Sequence, residues 1–316
     1  MRVLVTGGCG YKGSVLVPKL LKKHKVFVLD IGWFGMDVPH GVKLIKEDIR
    51  NIRNGGLPPE FDAIVHLAGI ANDPCGELDA KLTWEVNVLG TMRLAEWAAR
   101  SGVKQFIFAS SASVYGVKED AEITEDLPLE PVSDYNKTKM CAERVLLSYS
   151  DRMAVQILRP ATVCGWSPRM RLDTMVNMLT YQALSTATIT AHCGEHGGEL
   201  QRPNIHIEDI TDLYVFMLEH PQLTGIYNAG FENISALNTA RMISMRIPAD
   251  IIITKVQDKR SYRINSDKIL AAGFLPRFGV GWAIQDLKAK WWSGDLNESD
   301  MTTNLTWMRK NNWVKA

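Results

Sequence analysis

A short β-branched run, Arg2-Val3-Leu4-Val5, passes straight into Thr6-Gly7-Gly8-Cys9-Gly10-Tyr11-Lys12-Gly13 and from there into an amphipathic helical pattern. A strand that turns into a helix N-terminus through glycines admits few folds. The backbone N–H groups and the positive end of the helix dipole converge there on an anion, and Cβ atoms on the glycines would obstruct a diphosphate. The next β-branched run ends in Asp30, 17 residues after Gly13. A carboxylate at that point can accept hydrogen bonds from an adenosine ribose and repels a 2′-phosphate, so the unit reads as a site for NAD rather than NADP.

The first half of the chain continues the same alternation. Strands are expected at Val3-Thr6, Val26-Asp30, Val42-Lys46, Ala63-Leu67, Gln105-Ser110 and Val155-Leu158, and helices at Lys12-Lys22, Leu82-Arg100 and Asn136-Tyr149. This predicts an α/β fold, a doubly wound parallel sheet of Rossmann type covered on both faces. Beyond Cys164 the pattern loosens, with helical stretches near Asp173-Ala183, Asp209-Leu218 and Val280-Trp292. That half is expected to be a smaller, discontinuous substrate-binding lobe. The division expected is 1–163 and 207–229 for the cofactor domain, 164–206 and 230–316 for the lobe, with the active site between them.

Bulk properties exclude several partners. Lys and Arg total 36 against 35 Asp and Glu, so no overall field attracts nucleic acid or an anionic membrane. No apolar run is long enough to span a bilayer, the first residues read as a strand rather than a signal peptide, and a cytoplasmic enzyme is expected. The five cysteines, Cys9, Cys75, Cys141, Cys164 and Cys193, are scattered without metal-type spacing and read as reduced packing thiols, with no metal site.

Tyr135-Asn136-Lys137-Thr138-Lys139 places a phenol and an ammonium one helical turn apart. A tyrosine is a poor base at neutral pH unless neighbouring positive charge favours its phenolate. Phe106-Ile107-Phe108-Ala109-Ser110-Ser111-Ala112-Ser113-Val114-Tyr115-Gly116 runs off the carboxyl end of a buried strand, where open α/β sheets bind ligands.

Taken with the Gly-x-x-Gly-x-x-Gly spacing, these segments resemble the extended short-chain dehydrogenase/reductases that modify nucleotide sugars. Glu47-Asp48-Ile49-Arg50 resembles the family's adenine-contacting segment, His66-Leu67-Ala68-Gly69 its turn beneath the cofactor, and Asn87-Val88-Leu89-Gly90-Thr91 its Asn-Val-x-Gly-Thr helix. Leu158-Arg159-Pro160-Ala161-Thr162-Val163-Cys164-Gly165 resembles the strand that meets nicotinamide and sugar, with Thr162 in an Asn position and Cys164 in a Tyr position. The resemblance implies a catalytic triad of Ser111, Tyr135 and Lys139. It implies cofactor contacts from Gly7, Gly10, Tyr11, Lys12, Gly13, Asp30, Ile31, Asp48, Ile49, Leu67, Ala68, Gly69, Asn87, Tyr135, Lys139, Pro160 and Val163. Ser111, Ser113, Tyr135 and Thr162 would meet the sugar, and Asn177, Arg202 and Arg260 the diphosphate. His206 and Asp209 are expected to brace a helix start.

Lys12 departs from the commonest family pattern, which carries an apolar residue there; it can add positive charge near the diphosphate or point into solvent, and the second is favoured because the backbone already supplies the donors. Ser111-Ala112-Ser113 stands where the family's 4,6-dehydratases carry Thr-Asp-Glu, so elimination has no obvious acid or base. The expected activity is NAD-dependent epimerisation of a nucleoside-diphosphate sugar, of 4-epimerase type, or oxidation by a related dehydrogenase. A dehydratase or reductase of the same family and a non-catalytic NAD-sensing protein are the alternatives. A homodimer is implied, with the helices at Leu82-Arg100 and Asn136-Tyr149 paired through Leu89, Met92, Ala95, Trp97, Met140, Val145 and Leu146.

Overall fold

The computed structural model describes residues 1–52, 57–58, 60–118, 122–195, 197, 199–256 and 261–311. Its strands are β1 (Arg2–Thr6), β2 (Lys25–Asp30), β3 (Lys43–Lys46), β4 (Ala63–His66), β5 (Gln105–Ala109), β6 (Ala154–Pro160), β7 (Thr162–Cys164), β8 (Thr188–Gly194), β9 (Gln201–His206), β10 (Gly225–Ala229), β11 (Glu232–Ser235) and β12 (Asp250–Val256). Its α-helices are α1 (Gly13–Leu21), α2 (Asp73–Leu78), α3 (Ala80–Trp84), α4 (Gly90–Arg100), α5 (Asp134–Leu147), α6 (Met175–Thr186), α7 (Ile207–Glu219), α8 (Ala236–Ser244), α9 (Asp267–Ala271), α10 (Val280–Trp292) and α11 (Asn304–Lys310).

Seven strands form one parallel sheet in the order β10-β6-β5-β4-β1-β2-β3. Strand order reverses beside β1, and in such sheets ligands bind in the crevice at the carboxyl ends of the strands next to the reversal. The period-two alternation of strand side chains feeds two cores. Val3, Val5 and Val65 point to the face covered by α1 and α7, with Leu16, Leu20, Ile210 and Leu213. Leu4, Ile64 and Phe106 point to the opposite face, with Leu94 of α4 and Leu146 of α5. Burial on both faces explains why these strands read as nearly continuous apolar runs.

The expected first-half elements are present with shifted ends, and α10 spans the expected Val280–Trp292. The helix expected at Leu82-Arg100 differs: α3 and α4 are joined by a wider π-helical turn at Glu85–Leu89 that contains Asn87. The sequence reading found no strands for the second half beyond the Leu158-Gly165 segment. There β11, β9 and β7 form a three-stranded sheet, β12 pairs with β8, and β10 joins the main sheet beside β6. Of these, β10 and β11 are short and β12 is half-exposed, so their apolar alternation is weak. A third core of Val176, Leu179, Ile189, Ile243, Val280 and Ile284 holds α6, α8, α10 and β8 together.

Three residues expected at a two-fold interface are spent inside the protomer. Ala95, Trp97 and Leu146 are buried, and Trp97 packs edge-on against Phe61 with ring centroids 5.8 Å apart. The apolar side chains left outward on these helices include Met92 and Trp84.

One buried polar network ties α5 to the β10-β6-β5 side of the sheet. Arg159 of β6 donates from Nε and Nη2 to the Glu143 carboxylate of α5, at 2.9 and 2.6 Å, and from Nη1 to the Tyr115 hydroxyl at 2.7 Å. Glu143 also accepts from Ser110 Oγ at 2.5 Å, and Tyr115 donates to Asn228 of β10 at 2.8 Å. Burial pulls the Arg159 guanidinium down, but Glu143 outweighs it and the net shift is upward. Removing one partner leaves a bare buried charge, a cost of about 3–5 kcal/mol. Glu143→Leu should therefore destabilise the protein by about that amount in urea unfolding. The double variant Glu143→Leu/Arg159→Met should recover a large part of the loss, because neither charge remains.

Candidate active site

The carboxyl ends of β1, β2, β4, β5 and β6 open onto a cleft of about 620 Å³. Its floor is the loop between β1 and α1. Gly7 has φ of 71°, and a Cβ there would come within 2.6 Å of Ala68 N, while one on Gly13 would lie 2.4 Å from Gly8 O. These two glycines are thus required by the protein's own backbone, and only indirectly by a diphosphate. Of the residues assigned to the cofactor, Gly7, Gly10, Tyr11, Lys12, Gly13, Asp30, Ile31, Asp48, Ile49, Leu67, Ala68, Gly69, Pro160 and Val163 line the cleft. The Asp30 carboxylate is fixed at the end of β2 by Cys9 N–H at 3.0 Å and Gly32 N–H at 2.9 Å. Burial raises its pKa, partly offset by those same bonds.

Asn87 does not line the cleft. Its amide braces the turn after β4, accepting from Ile70 N at 2.8 Å and donating to Ile70 O at 3.0 Å and Thr138 Oγ1 at 3.0 Å. The π-turn brings it there, and a Cβ on Gly69 would meet its Oδ1 at 2.9 Å. His66 beneath the same turn bonds Thr6 at 2.6 Å and Thr91 at 2.9 Å, and burial lowers its pKa to about 3, so it is a neutral strut.

Ser111 leaves the end of β5 in extended conformation and bonds Ser113 Oγ at 2.7 Å. The Tyr135 phenol, which projects from the first turn of α5, lines the same part of the cleft. Burial raises the Tyr135 pKa above the ordinary phenol value, against a smaller lowering effect of the Ser111 side chain. Lys139 is buried under the cleft, donating to Ala109 O at 2.9 Å with Nζ 4.9 Å above the Phe108 ring. Burial lowers its pKa to about 8, and Glu143 acts in the opposite direction. The lysine is thus anchored to the end of β5.

On the other side of the cleft, Ser113, Thr162 and Arg202 line the wall. Arg260 lies outside the described residues. Asn177 does not reach the cleft: it is buried, accepts from Gly165 N at 2.9 Å and donates to Tyr11 OH at 3.0 Å and Arg171 O at 2.9 Å. Tyr11 in turn donates to Gly165 O at 2.6 Å. Asn177 therefore ties the glycine loop to the segment after β7, where the sequence reading assigned it a diphosphate. His206 caps α7 by accepting from Glu208 N at 3.1 Å, as expected. Asp209 instead accepts from the backbone of Arg277 and Phe278, both at 2.9 Å, and so braces the approach to α10. Cys164 is a buried packing thiol.

The cleft also holds residues the sequence reading did not assign: Trp33 and Phe34 after β2, Asn72 and Asp73 at the start of α2, Arg169, Arg171 and Asp173 before α6, and Thr303 to Leu305 at α11. No local spacing announces them, since they come from four distant segments.

Lys12 corrects an expectation. It lines the cleft, half-buried, with its ammonium 5.9 Å from the centre of the Tyr214 ring. Burial, then repulsion from Lys139 and Arg171, lowers its pKa to about 7. A group with this sign destabilises the folded chain when protonated, fully below about pH 7 and not at all above the ordinary lysine range. Lys12→Met should raise the melting temperature of the cofactor-free protein. The gain should grow as pH falls from 10 to 7 and then level off, which calorimetry at fixed ionic strength checks.

A sequence model described as the NAD dependent epimerase/dehydratase family matches residues 3–230. A UDP-glucose 4-epimerase of Lactobacillus helveticus is 28% identical across 77% of this chain and 82% of its own length. A dTDP-D-glucose 4,6-dehydratase of Mus musculus is 25% identical across 100% of this chain and 91% of its own. The crystal structure of a Thermus thermophilus UDP-glucose 4-epimerase in complex with NAD superimposes with a TM-score of 0.79 at 26% identity, covering 91% of this chain and 99% of that one. The family match runs from β1 to the turn after β10, the whole of the seven-stranded sheet. On that ground the chain belongs to the NAD dependent epimerase/dehydratase family.

Proposed function

We propose that this chain is an NAD-dependent nucleoside-diphosphate-sugar epimerase of 4-epimerase type, or a closely related sugar-nucleotide dehydrogenase. The observation that carries the reading is that Ser111 at the end of β5 and Tyr135 of α5 line the same cleft as the glycine loop. Ala112 between Ser111 and Ser113 is buried, and no carboxylate stands in the position that serves elimination in the family's dehydratases. The cofactor fits the residues present: the glycine loop lines the cleft at the N-terminus of α1, and the Asp30 carboxylate is held at the end of β2, oriented for a ribose.

Bound NAD supplies a two-electron acceptor that also serves as the donor of the return step. The chain's own residues manage the proton and the geometry. Tyr135 takes the proton of the sugar hydroxyl onto its phenol oxygen as the carbon becomes a ketone, and gives it back when the ketone is reduced from its other face. In the cofactor-free cleft burial keeps this phenol protonated, so it needs added positive charge to act as a base. Ser111 donates to the reacting oxygen and holds it against the phenol. Lys139, anchored to Ala109 O, is positioned for the nicotinamide ribose and contributes positive charge beneath the site. Arg202 and Ser113 serve the nucleoside-diphosphate sugar.

Asp73 favours one alternative. It lines the cleft and its charge raises the Tyr135 pKa, so it is the carboxylate a dehydratase with rearranged acid and base would use. A panel of nucleotide sugars incubated with the protein and NAD, read by product mass, separates the readings. Unchanged mass with a new epimer supports epimerisation, loss of two hydrogens oxidation, and loss of water elimination. With the substrate so found, Tyr135→Phe should lower the single-turnover rate by about 10²–10⁴-fold and leave NAD affinity nearly intact. A near wild-type rate would place the base elsewhere.

A homodimer is part of the proposal, built on the outer faces of α3, α4 and α5 with Trp84 and Met92 at its centre. Light scattering at micromolar concentration should give twice the mass of the chain, and Met92→Glu should shift it toward the monomer.

A further inference from the structure

Arg169 and Arg171 leave the same loop between β7 and α6, yet their surroundings differ. Arg171 is neutralised by Asp173, with N–O distances of 2.8 and 3.1 Å. Among the described residues Arg169 has no carboxylate within ion-pair distance. Its guanidinium lies 3.7 Å over the Phe34 ring, donates from Nη2 to Asn304 Oδ1 at 2.6 Å and from Nη1 to Met170 O at 3.3 Å, and keeps a buried Nε with no partner. Burial and repulsion from Arg171 lower its pKa to about 9. A guanidinium held in this way in a cleft wall is poised for an anion.

The C-terminal segment sets its aim. Asn304 N–H donates to Asp173 Oδ2 at 3.2 Å, Leu172 N–H to Thr302 O at 2.8 Å, and Trp307 Nε1 to Trp33 O at 2.7 Å. Leu305 and Met308 pack with Ile70, Cys75 and Leu82. Helix α11 therefore bridges the loop after β2 and the segment after β4, closing one side of the cleft with Arg169 beneath it.

We propose that Arg169, pinned between Phe34 and Asn304, is a second diphosphate-binding group of the cofactor site, facing the anion that the glycine loop also holds, and that the C-terminal segment is the strap that fixes it there. The two diphosphates that could enter this cleft are those of the cofactor and of the sugar nucleotide. Phe34 follows Asp30 by four residues and Asp30 feels the Arg169 charge, which puts Arg169 at the adenosine end, whereas Arg202 serves the other wall. A grip from two sides would retain the cofactor between the outward and return steps of one turnover. This inference rests on the NAD reading above.

The test is equilibrium and stopped-flow binding of NAD, ADP, adenosine and UDP to the full chain, with thermal melting as the control for folding. Arg169→Gln should weaken NAD and ADP alike by about 10–100-fold, as loss of a charge-assisted bond does, mainly through faster dissociation. Adenosine and UDP should bind as to the wild type. Arg169→Lys should recover part of the loss, because it keeps the charge without the planar fork. Asn304→Ala, which only frees the arm, should cost about 3–10-fold and decides the matter if Arg169→Gln fails to fold. NAD affinity within twofold of wild type in Arg169→Gln overturns the inference and leaves the functional reading intact. A loss confined to UDP assigns the arginine to the sugar nucleotide and also overturns it. A wild-type chain that binds no NAD overturns both.

Discussion

The buried pair of Arg159 and Glu143 is the interaction on which the remainder of the site depends. Glu143 lies on α5 one turn beyond Lys139 and two beyond Tyr135, so its bond to β6 sets the height and rotation of the helix that carries both. Ser110, directly before Ser111, donates to the same carboxylate. Helix, strand end and serine are therefore positioned by one charge pair. Burying two ions is costly, and hydrophobic residues of equal volume would often hold the core better. What the pair supplies here is register. It admits one rotation of α5 against the sheet, where an apolar contact would tolerate several.

A second constraint works at the cleft between the two halves. Tyr11 of the glycine loop, Gly165 after β7 and Asn177 of α6 share hydrogen bonds of 2.6 to 3.0 Å in a buried cluster. The cofactor floor and the substrate wall are thereby held as one rigid unit, as a reaction requires in which the sugar carbon must meet the same ring twice. Positive charge is concentrated at this seam: Lys139 and Arg171 lower the Lys12 pKa, and Arg171 lowers that of Arg169. These charges favour an anion in the cleft, and of the four, among the described residues, only Arg171 has a carboxylate within ion-pair distance.

Most of the cleft floor was legible because its elements are local. The glycine loop, the acidic end of β2, the turn after β4 and the serine–tyrosine pair each occupy a few adjacent residues, and each constrains its own backbone. Asn87 and Asn177 read correctly as polar residues in the right segments, but neither lines the cleft as a ligand contact would. An amide satisfies a backbone turn or a ligand with the same atoms, and only the fold shows which is nearer. Lys12 was misdirected for a related reason: a lysine at a helix start ordinarily reaches water, but here α7 packs beside α1 and Tyr214 closes that route.

From its sequence alone the chain determined the sheet and its parallel sense, the glycine loop with the acidic end of β2, and the serine and tyrosine that meet at the end of β5, because these follow from residue spacing within single strand–turn–helix units. Tertiary structure decided everything that depends on distance through space. It brought α11 and the loop after β7 to the Asp30 end of the cleft, turned the interface candidates Ala95, Trp97 and Leu146 into core, and paired Glu143 with Arg159 across 16 residues. The physical reason is that a contact between remote segments is set by how whole elements pack, and packing depends on volumes and angles that leave no period in the sequence.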